Sequence, residues 1–141
     1  MSDNFKKITL NKNFDESLIR DAYLYACHKD IEAIKPGNVN INSPHHDTTA
    51  SDYLISSINS GSELFNDSYS LGDRILSAIV ATKKETQMNT NLGIILLCAP
   101  IAHALLNYKE MSLKEAIAKT IDSATADDTV KICEAINIAN P

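Results

Sequence analysis

Tryptophan is missing from these 141 residues, aromatic side chains of any kind make up 6%, and glycine and proline occur four times each. No Val/Ile/Thr-rich alternating run of strand length stands between turn signals, so a β-sheet architecture is excluded and helices are expected throughout. Cysteine is also scarce. Cys27, Cys98 and Cys133 are widely spaced and odd in number, which excludes both a disulfide framework and a CxxC metal site and leaves reduced, buried thiols in a cytoplasmic protein as the expected state. Positive charge is in deficit, with 13 Lys and Arg against 18 Asp and Glu. Neutralising many phosphates needs clustered cations, so nucleic acids and anionic membranes are excluded as general partners, although a few local basic residues can hold one small phosphorylated ligand. The segment Met1 to Asn13 lacks the apolar core of a signal peptide, so no export is implied. The longest uncharged apolar stretch, Leu92 to Leu106, contains Pro100 and falls short of the roughly 20 residues of a membrane span.

What is there is a folded, apolar-rich composition, 44% hydrophobic and 22% charged, in a chain the size of one domain. Residues 1–13 read as a polar lead and 14–141 as one helical domain. The periodicity predicts five or six helices in a compact all-α bundle around a central apolar helix at about 91–107. The first helix spans about Phe14 to Ala33, with Leu18, Ala22, Tyr25 and Ala26 on one face, Asp15 or Ser17 as cap and Pro36 as stop. A second, capped by Asp47, is expected to end at Gly61. A third starts at Ser70 and aligns Leu71, Ile75, Ala78, Ile79 and Thr82; Ser112 with Glu115, and Thr125 or Asp127, open the last two. Val130, Ile132, Ala135, Ile136 and Ala139 mark an apolar face on the final helix, which is expected to remain partly uncovered.

Three polar motifs lie at helix ends, where backbone N–H groups, side chains and solvent coincide. In Glu32-Ala-Ile-Lys35-Pro36-Gly37-Asn38-Val39, proline and glycine suit the central positions of a type II turn. Such a turn fixes a cation and an amide in space, a corner able to hold phosphate, though a Pro-Gly pair also serves as a plain helix stop. His45-His46-Asp47 offers imidazole and carboxylate for metal binding or proton transfer, although Asp47 equally suits an N-cap and no third ligand follows at zinc spacing. Asn89-Thr90-Asn91-Leu92-Gly93 sets three hydrogen-bonding side chains ahead of the apolar helix, as a binding loop or as its cap. His103, inside that helix, reads as a satisfied core histidine.

The joint order of these motifs resembles that of the triphosphoribosyl-dephospho-CoA synthase family, and most of all its archaeal and methylotroph-type members. The resemblance runs from Ala22 through Glu32, Lys35 to Val39, His45, Asp47, Gly72 and Thr82 to Asn89 through Ile94 and Pro100. It continues through Thr125 and Asp128 to the closing Glu134 to Pro141. Relatives typically carry on for as many residues again, so the chain resembles the N-terminal half.

The resemblance implies a transferase that moves the 5-triphosphoribosyl group of ATP to the 2′-hydroxyl of dephospho-CoA, or of a related cofactor precursor, with release of adenine. It implies Mg²⁺ as cofactor, with Glu32 and Asp47 as metal-binding or charge-stabilising carboxylates and His45 as a catalytic base. Lys35, Gly37, Asn38, Asn89, Thr90 and Asn91 are implied as substrate-binding residues. The alternatives are a non-catalytic nucleotide-binding or interaction module, or one piece of a split enzyme, either self-associating or completed by a partner chain.

Overall fold

A computed structural model describes residues 15–42 and 48–141 of the chain. Its six helices are α1 Glu16–Glu32, α2 Ala50–Leu64, α3 Leu71–Thr86, α4 Leu92–Asn107, α5 Leu113–Asp122 and α6 Ala126–Ala139. Extended pairing among the described residues is limited to isolated bridge positions such as Asn40 and Thr48. The expected all-helical bundle is the fold. Among the described residues no helix is long and apolar enough to cross a membrane.

Local capping chemistry starts most of these helices where the sequence says it should. Asp15 Oδ1 accepts from the Leu18 N–H at 2.8 Å, and Ser70 Oγ accepts from Asp73 N–H at 3.2 Å. Ser112 with Glu115, and Thr125 with Asp128, form capping boxes that satisfy otherwise orphaned N–H groups. The second helix departs from expectation. Asp47 lies outside the described residues, and the cap is Thr49, whose N–H donates to Asp52 Oδ2 at 2.7 Å. Nor does Gly61 stop α2. A glycine ends a helix by adopting a left-handed conformation, which Gly61 does not; it is buried inside α2, where a Cβ would lie 3.5 Å from Tyr23 and Leu24 of α1.

The buried face of α1 is also shifted from the sequence reading. Ile19, Tyr23, Cys27 and Ile31 are inside, whereas Leu18 and Tyr25 are 51% and 65% exposed. Two apolar stripes run side by side on this helix, and periodicity alone does not rank them. The surface of α2 decides, because its small residues Ser57, Ser60 and Gly61 leave room for the Tyr23 ring, which tilts against Phe65 at 5.6 Å.

Helix α3 packs against α2, α4 and α6 and buries Leu71, Ile75, Ala78, Ile79 and Thr82, the face read from its spacing. The apolar helix α4 packs on α2, α3 and α5, burying Ile95, Ala99, Ala102 and Ala104, while Leu97 stays 68% exposed because these neighbours do not encircle it. On α6, Ala135 and Ala139 are buried and Val130 is exposed. Cys27 is buried, Cys98 half-buried and Cys133 exposed, all three free, so the expectation of uniformly buried thiols fails at Cys133, which occupies the outer side of α6.

Two polar features hold the bundle together. Arg74 is fully buried, and its guanidinium donates to the carbonyls of Leu64, at the end of α2, and of Tyr69. It places a cation where helix carbonyls lack partners; burial lowers its pKa to about 10, still far above neutrality. At the α3–α6 junction, Gly72 lies so close to α6 that a Cβ would stand 2.6 Å from Asp128 Cα. Asp128 Oδ1 accepts from Gly72 N–H at 2.7 Å, and Oδ2 accepts from the Thr125 N–H and hydroxyl at 2.9 and 2.8 Å. Burial by itself would raise the Asp128 pKa, but hydrogen bonds from Thr125, Gly72 and Ser70 outweigh it and hold the carboxyl well below the usual range.

Candidate functional site

The segment after α1 folds as its sequence predicts. Asn38 N–H donates to Lys35 C=O at 3.2 Å, and Gly37 has φ +80°, the value required at the third position of a type II turn. Ile41 N–H then donates to Ile31 C=O at 3.3 Å, which folds the segment back over the end of α1 and buries Val39 and Asn40. The Lys35 ammonium reaches Asp30 Oδ1. Glu32 takes different partners, Lys29 Nζ at 2.5 Å and His28 Nδ1 at 3.2 Å, and the bond from Lys29 draws its pKa below the ordinary value.

Around this turn lie two open clefts that share Gly37 and Asn38. One, of about 380 Å³, runs along Ile34 to Asn38, Asn40 and Asn42. The other, of about 200 Å³, is walled by Asp30, Ile31, Gly37, Asn38, Val39, Thr48 and Tyr53. Asp30, Ile31 and Tyr53 also wall a smaller recess, closed by Tyr23, Cys27, Ser57, Asn91 and Ile94. Asp30, Ile31 and Tyr53 thus stand between the clefts at the turn and the recess at Asn91, and the turn motif and the start of α4 lie on one side of the bundle. The two clefts at the turn suit a ligand of nucleotide dimensions, whereas the recess at Asn91, of about 10 Å³, has room for about one water.

The three side chains ahead of α4 divide their work. Asn89 is exposed and caps the helix, its Oδ1 accepting from Leu92 N–H at 3.3 Å. Thr90 is buried, and its hydroxyl lies 2.5 Å from Ser56 Oγ of α2. Asn91, 5% exposed, makes no cap. Its Nδ2 instead faces Ser56 C=O at 3.3 Å and the hydroxyls of Ser60 and Thr82 at 3.2 Å each, joining α2, α3 and α4. Asn91 Oδ1 is buried and has no hydrogen-bond partner among the described residues.

Of the residues singled out from sequence, Lys35, Gly37 and Asn38 thus line the clefts, Asn91 lines the small recess beside them, Thr90 stands in the α2–α4 contact, and Glu32 and Asn89 are outside the cleft walls. His45 and Asp47 lie outside the described residues. Sequence reasoning missed Asp30 and Tyr53. Asp30 was discoverable as the acidic residue that follows Tyr23 and Cys27 at helical spacing, a carboxylate at the edge of a buried stripe. Tyr53 carries no such signal. His103 is half-buried, with its ring edge-on to Tyr108 at 6.2 Å; its Nδ1 lacks a partner among the described residues, and burial keeps its pKa below the ordinary value. It therefore departs from the satisfied core histidine expected.

No group of three or more His, Cys, Asp or Glu side chains able to hold a metal ion occurs among the described residues. In the clefts Asp30 supplies a carboxylate and Lys35 a cation. That set suits an anionic ligand that brings part of its own metal coordination, since Mg²⁺ on phosphate needs only one or two protein carboxylates and keeps several waters.

The family model for ATP:dephospho-CoA triphosphoribosyl transferase matches residues 16–141. No curated protein and no solved structure matches the chain.

Proposed function

The chain belongs to the ATP:dephospho-CoA triphosphoribosyl transferase family, and from that membership we propose that it transfers the 5-triphosphoribosyl group of ATP to the 2′-hydroxyl of dephospho-CoA or a related cofactor precursor, releasing adenine. The observation that carries the reading is the wall shared by two motifs. The Lys35–Asn38 turn and the Asn91 start of α4 lie on either side of one wall, Asp30, Ile31 and Tyr53.

In the proposed reaction the acceptor oxygen bonds to ribose C1′ as the C1′–N9 bond breaks. The hydroxyl proton goes to a base, and adenine leaves with the electron pair of the broken bond and a proton. Positive charge develops at C1′, and a nearby carboxylate stabilises it. We assign that work to Asp30, a carboxylate lining the cleft, with Glu32 and Asp47 the further carboxylates of the family pattern and His45 the proposed base. Lys35 and Asn38 receive the triphosphate. The Lys35 ammonium already faces the carboxylate of Asp30, so phosphate binding replaces or shares an anion at a cation that is in position. Asp30 would be the cleft carboxylate to help hold Mg²⁺, which would supply charge neutralisation for the triphosphate.

The test is adenine release, followed by chromatography with ATP, Mg²⁺ and dephospho-CoA, for the unaltered chain and for Lys35→Ala and Asp30→Asn. Acceptor-dependent release that falls at least tenfold in both variants supports the reading. ATP binding with no adenine release for any acceptor would instead favour the nucleotide-binding module.

A further inference from the structure

We propose that Tyr53 is the platform on which the adenine ring of ATP stacks, so that the cleft at this residue is the base pocket; the inference rests on the clefts at the turn being the nucleotide site. Tyrosine occurs five times in the chain, and every tyrosine but this one is in use. Tyr23 shares a hydrogen bond with Ser60 Oγ at 2.8 Å and tilts against Phe65. Tyr69 donates to Glu63 Oε2 at 3.1 Å, Tyr25 lies under the Lys29 ammonium at 5.6 Å, and Tyr108 has His103 at its ring and the Lys119 ammonium over it at 4.7 Å. Tyr53 differs from all of them. Its hydroxyl has no hydrogen bond and its ring no aromatic or cationic partner among the described residues, although the residue is half-buried in the first turn of α2 and lines the cleft of about 200 Å³.

The two clefts at the turn divide by chemistry. The larger is lined by Lys35, Pro36 and the amides of Asn38, Asn40 and Asn42, and the space beside Gly37 is open. A cation among amide groups suits phosphate oxygens. The smaller has Ile31, Val39 and Tyr53 in its walls together with the Asp30 carboxylate. A carboxylate repels phosphate, whereas a flat uncharged heterocycle gains dispersion and stacking contact against an aromatic, apolar wall. At about 200 Å³ this cleft falls below the roughly 300 Å³ at which pockets for a whole drug-sized ligand begin, so it takes one part of the substrate. Because both clefts share Gly37 and Asn38, a triphosphate in one and a base in the other lay the ribose across the turn. That order sets C1′, the atom joining sugar to base, on the side of Asp30.

Dephospho-CoA carries an adenine too, so each substrate is titrated alone. Calorimetry with Mg²⁺ and ATP, with Mg²⁺ and inorganic tripolyphosphate, and with dephospho-CoA is compared for the unaltered chain, Tyr53→Phe and Tyr53→Leu. Tyr53→Leu is expected to bind ATP about tenfold more weakly, within what one base–aromatic stack contributes, and to bind tripolyphosphate as the unaltered chain does. Tyr53→Phe should keep the affinity for ATP, because stacking needs the ring and not the hydroxyl. A residue that only shaped the fold would move ATP and tripolyphosphate together. In the unaltered chain, nuclear Overhauser contacts between the Tyr53 ring and adenine H2 or H8 are expected as well, and they decide the matter if Tyr53→Leu fails to fold. Equal losses for ATP and tripolyphosphate, unchanged ATP binding in Tyr53→Leu, a loss confined to dephospho-CoA, or absence of those contacts would overturn the inference while leaving the clefts as the nucleotide site. Failure of ATP itself to bind would overturn both.

Discussion

The α3–α6 junction and the α1–α2–α4 cleft are both built from polar side chains at helix ends, yet they differ in how completely those side chains are used. At the junction, both Asp128 oxygens accept protein donors, and Gly72 brings the two backbones so close that no side chain could intervene. At the cleft, Lys35 and Asp30 face solvent and Asn91 retains an unpaired acceptor. Saturated polar groups hold helices in place and have nothing left for a ligand. Incomplete ones are where binding chemistry can be done. If the comparison is sound, altering the junction should cost stability and spare binding, and altering the outer cleft should do the reverse.

The largest stability loss is expected for Gly72→Ala. A Cβ at 2.6 Å from Asp128 Cα and 2.9 Å from Asp128 O meets backbone that cannot swing away, so α3 and α6 must separate. A loss of about 3 kcal/mol is expected, read by urea denaturation. A loss below about 1 kcal/mol would mean that the junction is softer than its geometry.

Asp128→Asn comes next, with an expected cost of about 2 kcal/mol, because hydrogen bonds to a charged acceptor are weakened. It also has a pH signature. The folded-state pKa of Asp128 is depressed, so its stabilisation is fully present above the unfolded value of about 3.9 and is lost as pH falls through the lower folded value. Denaturation midpoints for the unaltered chain should therefore hold steady from neutrality to about pH 5 and drop below about pH 4. The asparagine variant should show a shallower drop, and identical slopes for the two proteins would contradict the assignment.

Gly37→Ala should cost about 1 kcal/mol, since φ +80° is strained for any residue with a Cβ although the space around it is open. Its effect on ATP affinity should exceed that of either junction variant. Lys35→Ala completes the series: its denaturation midpoint should stay within about 0.5 kcal/mol of the parent because the Lys35–Asp30 pair is partly exposed to solvent, which screens it, and its ATP affinity should fall about tenfold, the expected worth of a charge-assisted phosphate contact.

Much of the fold was legible because helix periodicity and capping are local. The Ser70, Ser112 and Thr125 starts and the buried face of α3 followed from residues three or four apart. Choices made by a partner helix were not legible. The stripe of α1 that turns inward depends on the small residues of α2, and Gly61 reads as a stop until Tyr23 is seen to pack there. In the site, the Lys35–Asn38 turn was predictable from Pro36 and Gly37, whereas the fates of Asn89, Thr90 and Asn91 were not. Adjacent in sequence, they point respectively to a cap, to α2, and to α2 and α3 at once, and only tertiary geometry leaves an acceptor over on Asn91. Gly72 and Asp128 were visible as separate residues in the family pattern, but their mutual contact spans 56 positions.

The central claim, that the incomplete polar surface binds nucleotide and the saturated one does not, is tested most directly by titrating the isotopically labelled chain with Mg²⁺-ATP and following amide resonances. Shifts concentrated at Gly37, Asn38 and Tyr53, with Gly72, Thr125 and Asp128 unmoved, are the predicted result. Shifts centred on the α3–α6 junction, or none at millimolar nucleotide, would contradict it.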